Sequence, residues 1–268
     1  DLFPVLKDTM LDYIKAVKSI MPRKITTNDD LYLMCIISNT SFYFCSIIDG
    51  LAARIRKSVS EDQKPLVRVD DTKDTLTDYN KAILTQISRA LCEETRQFLE
   101  LISNRSFQNA PEKNAKLPEN LTNYFQKTIT HLKTWLCDDN FALLRTLFVP
   151  EWINVFFMSI FPESTQSKMP ITFGGTEILS KTTNMVRDSM LAIFPTGNAV
   201  KMQLHKKIIE KDFELILNAL KVFASPEDAM VPIYKELFSK SQSKEQFARI
   251  LRAKGLPSGT ELKILIQF

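Results

Sequence analysis

Along most of this chain apolar residues recur at intervals of three, four and seven, the spacing that lines one face of an α-helix. Leu6, Met10, Ile14 and Val17 predict a first helix over residues 2–20, closed by Pro22. From about Asp29 to Lys57, Leu33, Ile37, Phe44, Ile48, Leu51 and Ile55 predict a long rod-like helix with the polar patch Ser38-Asn39-Thr40-Ser41 at its centre. That patch would be costly in lipid and is tolerable in a bundle, so no membrane span is read here. After a short extended piece, Leu66 to Val69, the acids Asp70, Asp71 and Asp74 suit the positive end of another helix. Its inner stripe is expected to be Leu76, Tyr79, Ile83, Ile87, Leu91, Phe98 and Ile102.

Asn104 to Pro118 reads as an exposed loop. Leu121, Phe125, Ile129, Leu132 and Leu136 then line a fourth helix. A fifth, from Asn140, carries Trp152, Val155, Phe156, Met158, Ile160 and Phe161, a run apolar nearly all round and so expected to be buried on several sides. Pro162 to Gly175, with two prolines and a Gly-Gly pair, reads as a hinge. A boundary near Lys168 therefore divides the chain into an N-terminal helical bundle, residues 1–168, and a C-terminal one, residues 169–268.

In the second part, Ile178, Thr182, Val186, Ser189 and Ile193 line a helix ended by Pro195, and Val200, Leu204, Ile208, Phe213, Leu217 and Leu220 line the next. Ser225-Pro226-Glu227-Asp228 has the form of a helix start, with a hydroxyl N-cap and proline at the first helical position; Pro232 then either kinks that helix or marks a later start. Ser243 with Gln246 has the form of a capping box. Its helix should stop at Gly255 in the left-handed conformation, with Leu256 folding onto Leu251 and Pro257 preventing continuation. The fold class expected is all-α.

Composition narrows this picture without sharpening it. Six glycines, and no recurring two-residue turn between alternating apolar runs, argue against a sheet protein with many hairpins. The chain starts at Asp1 and ends on the apolar run Leu262 to Phe268, and so reads as a piece of a longer protein. Cys35, Cys45, Cys92 and Cys137 lie far apart in helical contexts and read as reduced core residues. The triplets at Asn39, Asn104 and Asn120 read as unused glycosylation motifs.

The net charge of +4 is unevenly placed: residues 1–168 carry 21 basic and 21 acidic side chains, residues 169–268 carry 14 and 10. The last hundred residues are thus the expected docking surface for an acidic partner or anionic headgroups. The candidate binding surface is Lys201, His205, Lys206, Lys207 and Lys211, joined by Arg249, Arg252 and Lys254; its bland alternative is the wet face of an amphipathic helix. No dense basic stripe interleaved with stacking aromatics points to nucleic acid.

Catalytic chemistry finds little to use. The two histidines, His131 and His205, have no partner in the sequence pattern, and the second sits among lysines that disfavour its proton. Gly174-Gly175 lacks the lysine and hydroxyl of a phosphate loop. Asp70-Asp71-Thr72-Lys73-Asp74 lacks the glycine and terminal glutamate of a calcium loop. No enzyme activity, catalytic residue, metal or cofactor is expected.

The order of signals in the C-terminal part carries a resemblance. Gly175-Thr176-Glu177-Ile178-Leu179, Thr183, Phe194-Pro195, Leu215 to Val222, Pro226 with Tyr234 and Leu237, and above all Phe247 to Leu256 resemble the C-terminal region of the vacuolar protein sorting-associated protein 53 family. That family supplies a subunit of the Golgi-associated retrograde protein (GARP) tethering complex. Tyr32 to Ile55 and Trp152 to Phe161 fit in order and spacing, so the resemblance spans nearly the whole chain. It implies two tandem helical bundles forming an elongated rod, as in helical-rod (CATCHR-type) tethering subunits. It further implies a peripheral membrane role in retrograde endosome-to-Golgi transport, on the cytosolic face of the trans-Golgi network and endosomes. The implied partners are other subunits of the complex, SNAREs and small GTPases, with weak anionic membrane contact. Two other readings stay open: a helical scaffold or adaptor of another trafficking complex such as exocyst, and an all-helical enzyme or lipid-binding protein. The last requires an internal pocket lined by the aromatic run Trp152 to Phe161.

Overall fold

A computed structural model describes residues 2–105, 107, 116–162, 170–193, 199–239 and 243–268, and every regular element among them is helical. The boundary expected near Lys168 and the helix end expected at Pro195 lie outside the described residues. By compactness the chain forms two units, Asp1–Leu91 with Thr130–Phe148, and Cys92–Ile129 with Val149–Phe268.

In the first unit, α1 (Leu2–Ile20) buries Met10, Ile14 and Val17 as expected. Helix α2 (Asn28–Ser58) opens on a full capping box: the Thr27 hydroxyl accepts from the Asp30 amide at 3.1 Å, and the Asp30 carboxylate accepts from the Thr27 amide at 3.0 Å. The Thr26 amide also reaches Asp30, and these bonds hold its carboxyl below the usual range. The inner face of α2 is Leu31, Met34, Cys35, Ile37, Ser38, Ser41, Ile48 and Ala52. Of the expected stripe only Ile37 and Ile48 are fully buried, while Leu33, Phe44, Leu51 and Ile55 are half-buried. A stripe chosen by counting apolar residues passes over the small and polar side chains that let neighbouring helices approach.

Helix α3 (Asp70–Glu94) buries Leu76, Tyr79, Ile83, Ile87 and Leu91 as read from the sequence, but it stops at Thr95, and α4 (Arg96–Ser103) follows with Leu99 and Ile102 inward and Phe98 half-buried. Helices α5 (Leu117–Trp135) and α6 (Asp138–Ile160) each contribute residues to both units. All five residues expected inside, Leu121 to Leu136, are buried. Phe107, within the stretch read as an exposed loop, is fully buried.

The polar centre of α2 is used inside the first unit. Ser38 donates to Asn80 at 2.6 Å, Asn80 donates to Asn140 at 2.7 Å, and Asn140 donates to Asn39 at 3.2 Å. Asn39 in turn donates to the Trp135 carbonyl at 2.8 Å and accepts from the Cys137 amide at 2.9 Å, clamping the turn between α5 and α6. Buried amides are retained at low cost when every group is bonded, and here each link hands on to the next. Helices α2 and α6 are long and apolar enough, by length and composition, to cross a membrane; their inward faces are what fill the cores.

In the second unit most of the aromatic run of α6 is buried, with Val155 and Met158 half-buried. Trp152 is edge-on to Phe125 at 4.9 Å, stacks on Phe156 at 5.0 Å and lies 6.4 Å from Phe213. Its indole N–H donates to the Thr95 hydroxyl at 3.0 Å, which itself donates to the Cys92 carbonyl, so the residue separating α3 from α4 anchors the largest core side chain. Trp152, Phe156, Ile160 and Phe161 of this run are fully buried. Helix α7 (Phe173–Ile193) packs along α8 (Ala199–Ala224). The inner face of α8 is Ile209, Phe213, Ile216, Leu220 and Phe223, so the expected Ile208 points outward, one position off. Ser225 is not a cap, because its hydroxyl donates back to the Val222 carbonyl; a short 3-10 turn, Glu227–Ala229, precedes α9 (Met230–Leu237). Pro232 thus lies in the first turn of a helix that starts late, where its missing N–H is harmless.

Candidate docking surfaces

Two elements of the second unit hold the expected basic surface. On α8, Lys206, Lys207 and Lys211 are exposed, and Lys206 lies 3.8 Å from Glu210 one turn on. The side chains of Lys201 and His205 lie outside those described. Asp212 follows Lys211 and is half-buried; burial raises its carboxyl pKa while Lys211 opposes the rise.

Helix α10 (Lys244–Ala253) carries the other cations, and its caps explain where they point. The Ser243 hydroxyl accepts from the Gln246 amide at 3.2 Å, but the reciprocal half of the box goes to Tyr234. The Tyr234 hydroxyl donates to the Ser243 carbonyl, and the Ser243 amide donates to the same hydroxyl. Tyr234 stacks on Phe238 at 4.4 Å and meets Phe247 at 4.7 Å, so α9 and α10 are joined by rings as well as by the cap. At the far end Gly255 takes φ +72°, as the sequence required, and a Cβ there would come within 3.2 Å of Pro170.

Held this way, α10 and its C-cap bring Arg249, Arg252 and Lys254 to partners within the chain. Arg249 is buried; it pairs with Glu245 at 3.0 Å and touches the Met158 sulfur. Arg252 pairs with Glu261 of α11 (Ser258–Gln267) at 3.2 Å. Lys254 donates to the carbonyls of Phe223, at 2.9 Å, and Ser225, neutralising the negative end of α8; burial lowers its pKa. The surface formed by α8 and the cations of α10 are therefore different structural objects. The cations at and after α10 have long side chains whose charged tips reach carbonyls and carboxylates nearby.

A feature the sequence did not suggest lies beside them. Pro150, Ile153, Phe157 and Met158 of α6, Asp212 and Leu215 of α8, and Gln246 and Arg249 of α10 are among the residues lining an open groove of ≈ 400 Å³. The groove can seat an apolar side chain with a carboxylate or amide beside Arg249. Its only sequence signal is the Glu245/Arg249 pair at i, i+4, which thousands of exposed helices share. Gly174 and Gly175 fall in the first turn of α7, where the Thr172 hydroxyl accepts from the Gly175 amide as an ordinary N-cap. His131 stacks on Trp135 with centroids 5.3 Å apart. Among the described residues no cluster of histidine, cysteine, aspartate or glutamate could hold a metal ion.

The chain is similar in structure to the C-terminal domain of the exocyst subunit Sec6p, solved as a crystal structure, with a TM-score of 0.71 and 13% sequence identity over 99% of this chain and 70% of that one. No protein-family model and no curated protein sequence matches it. At that identity the likeness is one of fold: an all-helical domain.

Proposed function

We propose that this chain is a non-catalytic part of a multisubunit vesicle-tethering complex, acting as a helical scaffold that holds other subunits. The observation that carries the reading is the fold shared with the Sec6p domain along 99% of the chain. Packed helices with filled cores suit that task, since tethering needs several weak contacts combined through attached partners and no reaction centre. The finer assignment, to the GARP complex and retrograde endosome-to-Golgi transport, is supported by the order of signals from Gly175 to Leu256 described in the sequence. With it come SNAREs and small GTPases as partners, and a peripheral place on the cytosolic face of the trans-Golgi network and endosomes. The exposed lysines of α8, Lys206, Lys207 and Lys211, are the part of the basic surface free to meet an acidic segment or an anionic headgroup.

Affinity purification of the full-length protein, with and without residues 169–268, tests both levels. Co-purification with subunits of a retrograde tethering complex is the expected result. Co-purification with exocyst subunits would keep the scaffold reading and replace the GARP assignment, and recovery with no tethering subunits would end both.

A further inference from the structure

One face of α2 in the first unit leaves large apolar side chains exposed among the described residues. Tyr32, Ile36 and Tyr43, at positions i, i+4 and i+11, are 47%, 42% and 62% exposed and stand in line along the helix. At its N-terminal end this stripe runs into a groove of ≈ 550 Å³ lined by Asn28, Asp29, Tyr32, Ile36, Asn39, Thr134 and Trp135. Tyr32 and Trp135 meet nearly edge to face, centroids 5.3 Å apart at 66°, and His131 stacks on the indole. Two aromatic walls at a steep angle are the arrangement that attracts a cation, whose charge is drawn to ring faces.

The polar groups around the rings divide into engaged and free. Asn39 is engaged by Trp135, Cys137 and Asn140, and Asp30 is used by the capping box. Asp29, one residue earlier in the same first turn, is exposed and has no bond or ion pair among the described residues. It is the one charged residue among those lining the groove; Lys133, exposed on α5, is not among them. Two more exposed acids, Asp138 and Asp139, open α6 directly after Cys137, whose amide Asn39 holds.

We infer that this face is a docking site for a short amphipathic helix of another protein that presents a lysine or arginine to Asp29, Tyr32 and Trp135 and apolar side chains to Ile36 and Tyr43. The distance from Tyr32 to Tyr43 is about 16 Å along the helix, three turns, so a partner segment of about 12–14 residues covers it. The carboxylate sets the sign of the partner and the stripe sets its periodicity. The site belongs to the first unit and does not depend on which complex the chain serves.

A display selection of random helical peptides of about 14 residues on the intact chain tests this, with counter-selection on Tyr32→Ala. Enriched peptides are expected to share one basic residue followed by apolar residues one and two turns on. Their affinity should fall about tenfold on Asp29→Lys and return when the peptide's basic residue is changed to glutamate. Trp135 reports binding directly, because Trp152, the other tryptophan, is fully buried. Unchanged thermal midpoints of Asp29→Lys and Tyr32→Ala are the folding control, with Tyr43→Ala as a second stripe variant. No enrichment, an acidic consensus, or binding indifferent to Asp29→Lys overturns the inference. So does binding of the chain to phosphatidylcholine/phosphatidylserine vesicles, or self-association, that Tyr32→Ala abolishes, since either gives the face to another occupant.

Discussion

Asn80 of α3 donates its side-chain amide to the side-chain oxygen of Asn140 of α6 at 2.7 Å, across 60 residues of sequence and with both residues buried. The bond is one link of a chain that begins at Ser38 and ends on the backbone around Cys137. An amide in the middle of a core is tolerated when it is fully partnered and is costly when it is not.

Asn80→Ala therefore removes a donor and an acceptor at once and strands Ser38 and Asn140. The expected loss is about 1–3 kcal/mol of unfolding free energy, read from urea denaturation. Ser41→Ala, whose hydroxyl bonds only to its own helix at Ile37, should change the same midpoint little.

Gly255→Ala forces an L side chain into φ +72° and places its Cβ 3.2 Å from Pro170. It should cost about 1–2 kcal/mol. Gly259→Ala, in the first turn of α11 with nothing within 4 Å, should be neutral or stabilising by up to about 1 kcal/mol. Thermal scans of the two variants side by side separate conformation from simple loss of glycine.

Asp30 supplies a pH test. Its hydrogen bonds to Thr26 and Thr27 lower its folded-state pKa below the ordinary 3.8, so its stabilisation is present above the unfolded value and is lost as pH falls through the folded one. Asp30→Asn should melt earlier than the wild type near neutral pH, and the gap between their midpoints should close on acidification. A gap that widens in acid would contradict the assigned cap.

Reversing Lys206, Lys207 and Lys211 to glutamate tests the α8 surface without touching a core contact. The triple variant should keep its thermal midpoint and lose binding to anionic vesicles or to an acidic partner segment, with the wild-type interaction weakening as salt rises. Lys254→Met, by contrast, should lower stability, because it leaves the carbonyls of Phe223 and Ser225 at the end of α8 without their donor.

Much of the helical order was legible because its signals are local. Ser243 reaches an amide three residues on, Gly255 answers a demand of its own backbone, and Leu121 to Leu136 keep one register over a few turns. The break at Thr95 was not legible, since the hydroxyl that marks it is held by Trp152, 57 residues away. The candidate cations divided for the same reason: exposure of Lys206, Lys207 and Lys211 follows from their helix face, whereas the fates of Arg249, Arg252 and Lys254 were set by Met158, Glu261 and the carbonyl of Phe223.

By itself the amino-acid order determined that this protein is built of helices and where several of them begin and stop, because caps and apolar periodicity act within four residues. Only the tertiary structure decided which way each long helix is turned, since a rotation of one position exchanges Ile208 for Ile209 at almost no local cost. It decided too which charges stay in water, because a side chain as long as lysine or arginine takes whatever carbonyl or carboxylate the packing of distant segments brings within reach.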